Sequence, residues 1–211
     1  MSAENSNHEL KTSRVEALTD SIYAFSMTLL IIGFEVVLNR PHKLNNGQLT
    51  KELFSLWPDF LHYVLGFIIL GAFWIEHHHQ FHFIKRTDSK LLFINVIGLM
   101  FIALIPFSTL IVGDYGELRI AALMFETNLL IAGLIMYAHW IYVTRERRLT
   151  DGKLEPHIVE FYKRRNLVIP IISIIAIFLS LINPRFGTVF YFTAPFALIW
   201  YKLKHPEHIR R

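Results

Sequence analysis

The chain has 211 residues, of which 53% are apolar, 14% aromatic and 18% charged, with no cysteine and a net charge of +4. A soluble domain averages about 45–50% apolar and about 25% charged residues, so a disordered chain, a collagen-like chain and a disulfide scaffold are excluded, along with thiolate metal chemistry. The charges are bunched and the intervals between bunches are long and apolar; at roughly 20 residues per bilayer crossing, there is room for about six.

In chain order the apolar spans fall at about residues 17–39, 54–76, 91–112, 119–143, 166–183 and 186–203. The first follows a polar approach, Arg14 to Ser21, and is interrupted only by Ser26, Thr28, Gly33 and Glu35. The second leads into Trp74-Ile75-Glu76-His77-His78-His79-Gln80-Phe81-His82. The third contains Asn95 and a breaker group, Pro106-Phe107-Ser108-Thr109, and the fourth contains Glu126 and His139. The fifth holds Pro170 and stops at Asn183-Pro184; the sixth is short and contains Pro195. Runs of this length joined by short polar segments read as transmembrane helices. The expectation is an all-α membrane protein, one six-span domain over 1–211.

Lys and Arg set the orientation. The N-terminal tail, the second–third joint, the fourth–fifth joint and the C-terminal tail carry sixteen of the 21 basic residues, and the opposite joints carry five. The positive-inside rule then places both termini in the cytoplasm of a multi-pass cell-membrane protein. An even number of spans agrees with that. The basic charge is a topology signal, so no nucleic-acid partner is expected.

At about 100° per residue, Phe25, Thr28, Leu29 and Ile32 form one stripe of the first helix, with Asp20 on its back. The simplest reading of that helix alone is a lipid-facing stripe and an Asp20 that caps the N-terminus. His78 and His82, at i and i+4, have a two-ligand metal spacing, Trp74 suits an interfacial anchor, and Asn95 suits an interhelical hydrogen bond. Two rival functions follow from these residues. One is a membrane metalloprotein or haem protein on His77, His78, His82 and His139; the other is a proton-coupled transporter on Asp20, Glu35 and Glu126.

Taken together, the motifs resemble the transmembrane protein 175 family of potassium channels. Arg14 to Asp20 match its arginine–three–Phe-Ser-Asp signature, with Leu18-Thr19 in place of Phe-Ser. Ala24-Phe25-Ser26-Met27-Thr28-Leu29-Leu30 stands for Ala-Ile-x-x-Thr-Leu-Leu. Trp74, His77 and Phe81 match the second-helix pattern, and Asn95 and Pro106-Phe107 match the third. The resemblance implies a homotetramer whose first helices line a central pore that lacks a conventional selectivity loop. It further implies constrictions at Phe25, Leu29 and Ile32, with Thr28 in the place of a threonine implicated in selectivity. Arg14, Thr19, Asp20, Trp74, His77 and Asn95 would form a hydrogen-bond network holding the pore helices. K+, the bilayer and other copies of the chain are the implied partners, with no cofactor, no metal and no enzymatic activity.

Overall fold

A computed structural model describes residues 12–32, 45–145, 149–150 and 154–204. Their secondary structure is helical apart from an isolated antiparallel bridge between Ile84 and Thr150. Glu35 and the remainder of the first span beyond Ile32 lie outside the described residues.

The first helix, α1 (Thr12–Leu29), tightens into a 3-10 turn over residues 30–32. A short helix, α2 (Asn46–Ser55), opens with a capping box in which Asn45 and Gln48 satisfy each other's backbone donors. It is separate from α3 (Trp57–Phe83) because Pro58 has no N–H to continue the ladder. The span expected at 54–76 is therefore divided at Leu56, and α3 carries the whole histidine cluster in helical form to Phe83.

The next helix, α4 (Ser89–Tyr115), is capped by Asp88 and runs straight through Pro106. The Ser108 and Thr109 hydroxyls donate back to the Ile105 carbonyl, so the expected breaker group leaves no bare donor in an apolar setting. It is followed by α5 (Arg119–Thr144), α6 (Pro156–Arg165) and α7 (Val168–Ile182). Pro170 cannot donate to the Asn166 carbonyl, and the α6–α7 break falls at that point.

Five helical segments are long and apolar enough to cross a membrane: Thr12–Ile32, Trp57–Phe83, Ser89–Tyr115, Arg119–Thr144 and Pro156–Ile182. The sixth expected span, 186–203, is not one continuous α-helix. It comprises α8 (Pro184–Phe190), a 3-10 turn over Tyr191–Thr193 and α9 (Ala194–Lys204). Pro195 is the physical reason: without an N–H for the Tyr191 carbonyl, that oxygen accepts from Ala194 in a tighter turn.

In the main apolar cluster of the core α5 packs between α4 and α7 while α1 lies against α3 and α4; smaller clusters form around Leu91 and Trp140. Small residues let these helices approach closely, as expected where lipid supplies no hydrophobic drive between them. A Cβ on Gly66 of α3 would lie 3.0 Å from Leu30 and 3.1 Å from Thr109, which fixes the meeting of α1, α3 and α4. Gly133 of α5 plays the same part against Pro170 of α7. Outward-facing side chains such as Phe93, Ile120, Phe178 and Phe196 are large and apolar, in keeping with a hydrocarbon surrounding.

Candidate functional site on the first helix

The helix α1 divides cleanly into two faces. Val15, Thr19, Tyr23, Ser26 and Leu30 recur at helical spacing and are buried against the protomer. Tyr23 and Leu30 belong to the core shared with α3 and α4. The other face keeps Leu18, Phe25, Thr28 and Ile32 uncovered: Phe25 is 62% exposed and Ile32 is 50% exposed, while Leu29 is half-buried. The Thr28 hydroxyl donates to the Phe25 carbonyl at 2.7 Å. Its proton is thus turned back along the helix, and its lone pairs are left for whatever occupies the uncovered side.

Behind this face the polar residues pair across helices. Asn95 of α4 stands between α1 and α3: its amide Nδ2 donates to the Thr19 hydroxyl at 3.1 Å, and its Oδ1 meets His77 Nε2 at 2.9 Å. All three side chains are buried. Trp74 Nε1 donates to Asp20 Oδ1 at 2.9 Å. Two of the simple readings are thereby corrected. Asp20 is not a helix cap, since α1 begins at Thr12, and Trp74 spends its N–H on a carboxylate rather than on the membrane interface. Arg14 is exposed and has no hydrogen bond or ion pair among the described residues, so it stands apart from the other five.

Because Asn95 serves two partners, Asn95→Leu should cost about 2–3 kcal/mol, leaving the Thr19 hydroxyl and a His77 nitrogen bare. Thermal unfolding in detergent checks this, and a midpoint equal to wild type would mean the pairing contributes no stability.

The histidines do not converge. His77 faces inward, stacked on Phe81 with ring centroids 4.3 Å apart and beside His139 at 5.6 Å. His78 faces outward near Glu16, at 3.7 Å, and His82 is exposed. Among the described residues no group of three or more His, Asp or Glu side chains could hold a metal ion. The acids expected of a transporter are likewise dispersed. Asp20 binds Trp74, whereas Glu126 of α5 accepts from Ser180 of α7 at 2.5 Å.

Two buried features were not foreseen. Gln80 Oε1 meets His139 Nδ1 at 2.9 Å, and Glu76 pairs with Arg165 of α6 at 2.9 Å, each side chain of that ion pair 9% exposed. The helical register did hold a clue, because Glu76, His77 and Gln80 share one face of α3.

Residues 14–106 match the family described as "Endosomal/lysosomal potassium channel TMEM175". A potassium channel of Streptomyces collinus is 30% identical over 149 residues, which cover 69% of this chain and 70% of that protein. One of Chamaesiphon minutus is 28% identical over 194 residues, covering 89% of this chain and 94% of the relative. The crystal structure of a lysosomal potassium-selective channel TMEM175 homologue from Chamaesiphon minutus superposes with a TM-score of 0.76 at 24% identity, covering 92% of this chain and 97% of that one. The match to residues 14–106 spans α1, α3 and most of α4, the helices that build the uncovered face and the polar pairs behind it. This chain belongs to the TMEM175 family.

Proposed function

We propose that the protein is a potassium channel conducting K+ passively through a central pore made by four copies of the chain, each contributing the uncovered face of α1. The observation that carries this reading is the contrast between the two faces of α1, one closed by α3 and α4 and the other open and largely apolar, with the Ser21 and Thr28 hydroxyls each turned back along the helix. Phe25, Leu29 and Ile32 form the constrictions and Thr28 the selectivity ring. A narrow apolar ring stops ions by shedding water that nothing replaces, and four hydroxyl oxygens restore part of the lost hydration. K+ gives up its water more readily than Na+, so a ring of hydroxyls favours it to a moderate degree.

The pairs Thr19–Asn95–His77 and Asp20–Trp74 hold α1 in register so that its open face keeps its aim. Arg14, without a partner among the described residues of the protomer, pairs across the subunit boundary. Both termini are cytoplasmic, following the sixteen-to-five division of the basic residues. The Ile84–Thr150 bridge supports this by tying the joint after α3 to the joint after α5 at one end of the bundle. The chain acts in a lipid bilayer, without a cofactor.

The test is Thr28→Val, which removes the hydroxyl and keeps the shape. Selectivity for K+ over Na+ should fall about tenfold, a change of ~1.4 kcal/mol, with assembly and total flux retained. Unchanged selectivity would remove Thr28 from the pore.

A further inference from the structure

A cavity of about 220 Å³ opens at the end of the bundle where α1 finishes and α3 begins. Its walls are apolar, with Leu29 of α1 and Ile32 of the following 3-10 turn on one side and Tyr63 and Phe107 of α3 and α4 on another. Asp59 and Asp114 also line it, close enough to act on each other electrostatically, with His62 alongside. Among the described residues neither carboxylate pairs with a lysine or arginine. An apolar chamber with aromatic walls and two carboxylates that have no lysine or arginine partner among the described residues, with one histidine beside them, is complementary to one kind of molecule: a cation carrying an apolar body.

We infer that this cavity binds a small organic ammonium ion, its apolar part against Leu29, Ile32 and Phe107 and its charge between Asp59 and Asp114. The size fits. A dry cavity of about 150 Å³ accommodates benzene, so this one has room for a benzene ring and a short ammonium arm. Quaternary ammonium groups are held well by aromatic faces beside negative charge, which Tyr63 and Phe107 supply. An inorganic cation would waste the apolar walls, and a neutral hydrocarbon would leave the carboxylates unanswered. Leu29 and Ile32 border the cavity and also form the proposed constrictions, so an occupied cavity hinders K+ passage; that consequence, unlike the binding itself, rests on the pore reading.

The experiment uses benzyltrimethylammonium, with its uncharged carbon isostere neopentylbenzene as control. Binding to the purified protein is followed by ligand-observed NMR, and K+ flux is measured in liposomes. Asp59→Asn with Asp114→Asn removes the charge. Gly113→Val fills the space without disturbing the backbone, because a Cβ there meets nothing nearer than His62 at 3.9 Å. The expected result is binding that weakens about tenfold or more in both variants, none by the isostere, and flux inhibition that follows the binding. Binding that is absent, shared by the isostere or indifferent to both variants would overturn the site. Specific binding with undiminished flux would overturn its control of conduction. A wild-type protein that passes no K+ would count against the pore, while the NMR series would still judge the cavity.

Discussion

Replacing Phe25 with alanine is expected to raise K+ flux about tenfold or more. The ring is 62% exposed on the protomer, on the face that α3 and α4 leave open. In the proposed fourfold pore the substitution would withdraw four phenyl groups at one level, and a wider apolar ring holds water more readily. A barrier lowered by only ~1.4 kcal/mol multiplies a rate tenfold, so a change at four rings together has a large lever. Little stability should be lost, since the side chain is not part of the protomer's core. Liposome flux assays at matched protein density measure the effect. Flux equal to wild type, with the oligomeric state unchanged, would place Phe25 on the lipid side.

The second large effect falls on stability, far from the open face of α1. Arg165→Met should destabilise the protein by about 3–5 kcal/mol, because it strands Glu76 without its partner in an apolar interior. The pair joins α6 to α3 one residue before His77, the inner end of the Asn95 bridge. Pairing the change with Glu76→Leu should return most of the lost stability, since replacing both members of a buried ion pair by apolar groups is often neutral. Thermal unfolding of the two single variants and the double variant gives the answer. If Arg165→Met alone were as stable as wild type, the pair would have no structural role.

Much of this was legible in the sequence, for reasons that differ by element. Long apolar runs declare themselves, so α1, α3, α4, α5 and α7 overlap the runs that hydropathy picks out. The exposed stripe of α1 was visible because a helical period of 3.6 residues sorts Phe25, Thr28 and Ile32 from Tyr23, Ser26 and Leu30. Breaks were harder to read. Pro106 looks in sequence much like Pro195, yet α4 continues through the first while the second adjoins a 3-10 turn. The outcome depends on the hydrogen bonds each neighbourhood can rearrange, which no local pattern reveals.

The site was legible only in part for the same reason. Asp20, Trp74, His77 and Asn95 could be selected one by one as costly polar groups in apolar runs. Which partner each would choose depends on how helices distant in sequence are rotated against each other. That rotation pairs Trp74 with Asp20 rather than with the interface, leaves Arg14 without a partner among the described residues, and divides the four histidines of the metal reading between inside and outside. The Glu76–Arg165 pair was missed because Arg165 lies in a basic cluster that hydropathy assigns wholly to water. Burial of one guanidinium in that cluster is a tertiary fact.

The most direct test of the central claim is the reversal potential of the purified protein in a planar bilayer, with KCl on one side and NaCl on the other. A K+-selective pore lined by α1 predicts a potential displaced toward the K+ equilibrium value, which Thr28→Val moves back toward zero. A wild-type potential at zero, or one that Thr28→Val leaves in place, would contradict it.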